Sequence, residues 1–330
     1  MATAASTSTG AIPELDEVGA ASDRLAPWIH RTPVMTSRTL DERSGGSIFL
    51  KCENFQKVGA FKIRGATNAL LRLDEAGRAR GVVTHSSGNH AQALAQAGRW
   101  LGVPVTVVMP SNAPSIKRAA TEGYGATVVP CEPTLAAREG TVADLIARHG
   151  YTLVHPFDDW DVIAGQGTAA WELLDQSGPL DLVLCPVGGG GLLAGTALAV
   201  AGKSPETRVI GAEPKAADDA LRSLLSGTIQ PSTDPRTVCD GLRTSLGERP
   251  FAVIRRHVAA IVTATEPEIL EAMRFVWERF KMIIEPSCSV PVAPILNGQL
   301  DVKGLRVGVI ITGGNVDLSP MFDALAAKWL

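Results

Sequence analysis

Short runs of apolar and β-branched residues alternate with longer stretches of helical spacing along most of the chain. Strands are predicted at Ser47 to Lys51, Gly81 to Thr84, Val103 to Met109, Ala126 to Cys131, Tyr151 to His155, Leu182 to Val187, Arg208 to Ala212, Ala259 to Thr265 and Arg306 to Thr312. Helices are predicted at Glu14 to Ala26, Ala66 to Leu73, Ala91 to Leu101, Ser115 to Thr121, Leu135 to Arg148, Asp161 to Gln176, Leu192 to Ala201, Pro267 to Lys281 and Pro320 to Trp329. Strands separated by helices belong in parallel sheets covered on both faces, which bind ligands at the carboxyl ends of their strands. The expected fold is therefore α/β with two parallel-sheet lobes and a site in the cleft between them. Residues 81–158 are assigned to a small lobe and residues 1–80 with 159–330 to a large one, residues 1–10 being a disordered tail.

A chain of 330 residues that is 45% hydrophobic can bury a large core. A net charge of -3, with no basic block, gives no footprint for nucleic acid. The five cysteines form no C-x-x-C pair, so neither a zinc site nor a disulfide framework is expected, and a reducing cytoplasm fits. The first ten residues lack the charged start and apolar run of a signal peptide, and no apolar stretch has the length of a membrane helix.

Chemistry concentrates in four loops. In Asn54 to Ala66, NFQKVGAFKIRGA, Phe61 and Ile63 flank Lys62 just before a helical pattern. Desolvation and the positive end of a helix both disfavour an ammonium, leaving more of the free amine that imine chemistry needs. Gly188-Gly189-Gly190-Gly191 stands between a strand and a helix, where backbone N–H groups and the helix dipole bind a phosphate. Gly189, Gly191 and Ala194 also satisfy G-x-G-x-x-A, and Glu213 lies at the distance of a ribose-binding acid, so this segment alone also reads as a nicotinamide oxidoreductase. Ser86-Ser87-Gly88-Asn89-His90 offers neutral donors for a carboxylate or an oxyanion, and equally a capped helix start. Thr312-Gly313-Gly314-Asn315 brings a hydroxyl to a strand end, where it can meet a ring nitrogen without forcing it to be protonated, or is a plain glycine turn.

Taken in order, FQKVGAFKIRGA, THSSGNHAQALA, HPFDDWDVIAGQGT, CPVGGGGLLAG and ITGGNVDL resemble the fold-type II pyridoxal-phosphate enzymes, specifically the serine/threonine dehydratase and serine racemase family. The resemblance runs from about Pro27 to Leu318. It implies that Lys62 carries the Schiff base to pyridoxal 5'-phosphate with Phe61 beside the ring, and that Asn89 contacts the ring hydroxyl. It also implies that Gly188, Gly189, Gly190, Gly191 and Leu192 cradle the phosphate, that Thr312 faces the pyridine nitrogen, and that Ser86, Ser87, Asn89 and His90 surround the substrate carboxylate. In racemases of the family the counterpart of Ser87 is an acid/base on the face opposite the lysine. The segment EPKAADD resembles the divalent-cation loop of the racemase-like branch, which maps the ligands to Glu213, Ala217 and Asp219 and implies Mg2+ or Ca2+.

The implied reaction is dehydration and deamination of a 3-hydroxy amino acid, with serine or threonine as default substrate and Lys62 as the α-proton base. Arg138 matches an arginine near the entrance of serine racemases and suits the second carboxylate of 3-hydroxyaspartate; a solvated helix arginine reads equally well. Ala60 stands where many members have serine, Phe157 where racemases often have asparagine, Cys239 where alanine is usual, and Ser287-Cys288-Ser289 replaces smaller residues. Cys288 reads as a buried packing residue. A homodimer is expected from the resemblance, and no regulatory domain is expected after TGGNVDL. A non-catalytic amino-acid-binding protein is the alternative that Lys62 argues against.

Overall fold

The computed structural model describes residues 12–113 and 115–329; the expected tail at residues 1–10 lies outside the described residues. The described strands are β1 (Val34–Met35), β2 (Ser47–Cys52), β3 (Val82–His85), β4 (Val105–Pro110), β5 (Thr127–Cys131), β6 (Thr152–Leu153), β7 (Leu182–Pro186), β8 (Arg208–Pro214), β9 (Ala260–Ala264) and β10 (Arg306–Ile311). Six form a sheet in the order β1-β2-β10-β7-β8-β9, and four form a second sheet in the order β5-β4-β3-β6. Every pairing is parallel except β1 with β2, an antiparallel edge that the hydrophobic pattern did not anticipate. Strand β6 is shorter than the predicted Tyr151 to His155, since Pro156 has no N–H to continue the ladder. Helices Lys62–Arg72 and Asn89–Leu101 begin earlier than predicted, which places Lys62 and Asn89 at the first residue of each. Helices Arg38–Ser44, Glu75–Arg80, Asp219–Ser226 and Glu248–His257 are short and were not predicted.

Both faces of the large sheet are apolar, as a covered parallel sheet requires. On β10, Val309 and Ile311 pack with Phe275, Val276 and Ile295, whereas Ile310 packs on the other face with Leu193 and Ala197. A third cluster seats the lysine-bearing helix against the small sheet: Ile63, Ala66 and Leu70 of helix Lys62–Arg72 pack with Ala91 and Leu94 of helix Asn89–Leu101 and with Val82 and Val107. Among the described residues no helix is long and apolar enough to cross a membrane.

Two devices fix where the helix bearing Lys62 starts. Helix Trp160–Ser177 crosses it at Gly165, where a Cβ would come within 2.7 Å of the Gly65 Cα, and Gln166 Oε1 accepts from the Gly65 N–H at 3.1 Å. The same helix meets helix Gly191–Lys203 at Gly167, where a Cβ would come within 2.5 Å of the Gly195 carbonyl. The Gly165-Gln166-Gly167 run thus sets the spacing between the lysine helix and the glycine-loop helix. The second device is a buried charge network. Arg64 donates to both carboxylate oxygens of Glu53 at 2.7 and 2.8 Å and to both of Glu172 at 2.8 and 2.9 Å, and Lys51 donates to Glu172 at 2.6 Å. Two cations facing two carboxylates leave no net charge in the core, the condition under which such burial is tolerated.

Candidate active site

Because the strands of the large sheet run parallel, the residues following β2, β7, β8 and β10 emerge at one end. After β2 the chain makes two 3-10 turns, Glu53–Phe55 and Lys57–Gly59, and delivers Lys62. Lys62 is half-buried, with its amine deep enough that desolvation dominates: its pKa is pulled down to about 8, Glu285 acting in the opposite direction. Its Nζ donates to the Pro156 carbonyl at 2.8 Å and lies 5.2 Å from the centre of the Phe61 ring.

Hydrogen bonds tie the other loops to this point. Asn89 donates from Nδ2 to both oxygens of Glu285, at 3.1 and 3.2 Å, and accepts at Oδ1 from Asn315 Nδ2 at 2.9 Å. Asn315 also donates to the Val58 carbonyl, and the Phe61 N–H donates to the Thr312 carbonyl at 2.9 Å. Ala60 bridges Gly313. Glu285, which no sequence motif singled out, is buried at the centre of this network, and burial raises its pKa to about 7 against the effect of Asn89. Only its place before Pro286 at a helix start could have signalled it.

The glycine loop lies beside the same segment that holds the lysine amine. A Cβ at Gly189 would collide with the ring of Phe157, the neighbour of Pro156, and one at Gly191 would come within 3.0 Å of the Phe157 backbone. Gly190 has φ +88°, a region that favours glycine. A Cβ at Gly188 would come within 3.0 Å of the Gly241 carbonyl. Helix Gly191–Lys203 starts here, with Leu192 buried in its first turn, so its first N–H groups have no helical carbonyl to bond.

Ser86 and Ser87 are half-buried in the turn after β3, where Ser86 Oγ accepts from the Gly88 N–H at 3.3 Å. His90 is placed differently from its neighbours. It is buried, its Nε2 lies 3.4 Å from the Val154 carbonyl, and burial followed by Lys62 holds its pKa well below the ordinary value. Arg138 is half-buried in the first turn of helix Leu135–His149, with its Nε on the Thr134 carbonyl at 3.4 Å. Its charge reaches His85, where it adds to burial in lowering the imidazole pKa. His85 and His155 pack edge to face at 5.3 Å, and His155 accepts at Nδ1 from the Asp158 N–H at 2.9 Å.

Glu213 does not face the glycine loop as a ribose-binding acid would. It is buried at the end of β8 and accepts from the N–H groups of Ala220 and Leu221, at 3.2 and 2.7 Å, at the start of helix Asp219–Ser226. The dinucleotide alternative fails on this geometry. Asp219 is buried beside it with one oxygen, Oδ2, lacking a partner, and Ala217 closes the preceding turn. Burial raises Glu213 to about 8 and Asp219 to about 6. Two such carboxyls fit a hard cation, although among the described residues no cluster of three or more His, Cys, Asp or Glu side chains has metal-binding geometry.

A phosphorylated aldehyde fits this arrangement of a desolvated amine, a glycine cradle at a helix start that side chains would fill, and a hydroxyl at a neighbouring strand end. The sequence matches the family model for pyridoxal-phosphate dependent enzyme over residues 25–313. It is 48% identical to a beta-hydroxyaspartate dehydratase from Paracoccus denitrificans over 310 residues, covering 94% of this chain and 98% of that protein. It is 50% identical to a serine racemase from Dictyostelium discoideum over 315 residues, covering 94% of this chain and 97% of that one. The structure of maize serine racemase superposes with a TM-score of 0.93 at 38% identity, covering 96% of this chain and 98% of the other. This chain belongs to the pyridoxal-phosphate dependent enzymes.

Proposed function

We propose that this protein removes water from a 3-hydroxy amino acid and releases a 2-oxo acid and ammonia, the water being regained when the freed enamine hydrolyses. The observation that carries this is the Lys62 amine, held at a pKa of about 8 by desolvation and bonded to a neutral carbonyl. Lys62 anchors the cofactor and, once displaced by the substrate amine, takes the α-proton at Nζ. When bound, the cofactor supplies a conjugated ring that takes up the electron pair left by that proton. Gly188 to Leu192 bind the phosphate with their N–H groups, Thr312 meets the ring nitrogen, and Phe61 packs beside the ring. Asn89, oriented by Glu285 and Asn315, meets the ring hydroxyl, and Ser86 and Ser87 receive the substrate carboxylate. The experiment is ammonia release with chiral analysis of the remaining substrate, run on L-serine, L-threonine and the 3-hydroxyaspartate diastereomers. Turnover that disappears in Lys62→Ala supports the reading; no ammonia from any of them defeats it.

A second reading makes 3-hydroxyaspartate the substrate. Its support is Arg138 beside His85 at the strand end that leads to Ser86, together with the 48% identity to the Paracoccus dehydratase. Arg138→Ala then raises KM for 3-hydroxyaspartate and spares serine; equal loss on both contradicts it. Racemisation rests on Ser87, whose replacement by alanine is expected to abolish inversion while elimination persists with a raised KM, since Ser87 also meets the substrate carboxylate.

Glu213, Asp219 and the Ala217 carbonyl are our ligands for Mg2+ or Ca2+, with the orphaned Asp219 Oδ2 as the supporting observation. The ion braces the loop, so chelator lowers the melting temperature and Mg2+ restores it. The same reading carries a cytoplasmic homodimer, supported by exposed Phe55 and Ile283 along a shallow groove with Val316 and Leu318, and checked by sedimentation.

A further inference from the structure

Cys288 is fully buried directly behind Thr312. Its Sγ has three polar neighbours: the Gly313 carbonyl oxygen at 2.8 Å, the Gly313 N–H at 3.0 Å and the Thr312 hydroxyl at 3.1 Å. Counting protons assigns the roles. A carbonyl oxygen only accepts, a backbone N–H only donates, and a thiol has one proton. The S–H therefore goes to the Gly313 carbonyl, and the sulfur receives the Gly313 N–H. Burial, reinforced by Glu285, pushes the thiol pKa far above its ordinary range, so the proton stays on sulfur. Thr312 is then left to donate its hydroxyl proton to the sulfur.

We propose that Cys288 is a positioning residue that sets the donor direction of the Thr312 hydroxyl and, through it, the protonation of the cofactor's ring nitrogen. The proposal rests on the reading that Thr312 faces that nitrogen. Sulfur is a weak acceptor, so its hold on the Thr312 proton is loose, and a heteroaromatic nitrogen draws the hydroxyl over as a donor. A stronger acceptor at position 288 keeps the proton and turns the Thr312 lone pairs toward the ring, which favours a protonated nitrogen. With no acceptor there, the hydroxyl is free to donate to the ring. The pKa of the ring nitrogen therefore rises from Cys288→Ala through the wild type to Cys288→Ser. A net hydrogen-bond difference of ordinary size separates the two variants by roughly 0.5–1 pH unit.

The test uses holoenzyme reconstituted with cofactor labelled with 15N in the ring, followed by NMR across pH. The resonance moves upfield when the nitrogen is protonated, a signature that a purely structural role for Cys288 would not shift. The expected result is the stated order of midpoints, with thermal melting confirming that each variant is folded. If Cys288→Ser does not fold, a midpoint in Cys288→Ala below that of the wild type supports the proposal by itself. Cys288 variants indistinguishable from the wild type, or the reverse order, overturn it. Thr312→Val separates the two layers: if it leaves the resonance unmoved, the placement of Thr312 fails; if it moves the resonance and the Cys288 variants do not, the role of Cys288 alone fails.

Discussion

Lys62 and Arg64 sit two residues apart at the start of one helix, and their surroundings take them in opposite directions. Burial alone would pull Arg64 down, but Glu53 and Glu172 outweigh it and hold the guanidinium above its ordinary value. The Lys62 amine donates to the neutral Pro156 carbonyl, and burial lowers its pKa to about 8 against the pull of Glu285. One cation is locked by four carboxylate contacts into a fixed structural charge. The other, without an ion pair among the described residues, is held closer to its neutral form, as the proposed role of Lys62 as a base requires. The difference shows that two carboxylates bonded to one guanidinium outweigh burial, whereas burial prevails at an amine bonded to a neutral carbonyl, and the charge network around Arg64 holds the start of the helix that carries both.

The largest break in that comparison is Lys62→Ala, expected to lower turnover by at least ~10²–10⁴-fold while leaving urea stability close to that of the wild type. Steady-state ammonia release and equilibrium unfolding check both halves. Glu172→Ala should do the reverse. It strips carboxylate contacts from Arg64 and Lys51 and should cost about 3–5 kcal/mol in urea unfolding, because the cations stay buried without enough charge to meet them. A stability loss confined to Lys62→Ala would invert the account.

Gly165→Ala sharpens the comparison from the packing side. Its Cβ would sit 2.7 Å from the Gly65 Cα, so helix Lys62–Arg72 must move; a loss of roughly 1–3 kcal/mol is expected, with kcat falling more than stability alone explains. The smallest effect is a pH dependence. Only the neutral amine captures an aldehyde, so the rate of cofactor uptake by apoenzyme should rise about tenfold per pH unit up to about pH 8 and then level off. Stopped-flow absorbance reads this directly; a rise that continues past pH 10 would mean an ordinary lysine.

The alternation of apolar runs made the two parallel sheets legible, and the flanking of Lys62 by Phe61 and Ile63 made its desolvation legible, because both are local patterns. The partners of Arg64 were not, since Glu53 and Glu172 are 11 and 108 residues away along the chain. Glu213 shows the same limit: spacing offered it as a ribose acid and the family resemblance as a cation ligand, and only the start of helix Asp219–Ser226 folded against it excludes the first. His90 follows Asn89 in the motif, yet the helix turns its ring to the Val154 carbonyl. Cys288 was expected to be a packing residue, and it is buried; its bonds to Thr312 and Gly313 depend on a contact across 24 residues or more.

In the proposed reaction Lys62 is the amine left free to react. Reducing the holoenzyme with borohydride, digesting it and locating the attached cofactor by mass tests this most directly. One reduced cofactor per chain is expected on the peptide containing Lys62, and none in Lys62→Ala. A label on Lys51 or Lys57, or no covalent label at all, would contradict it.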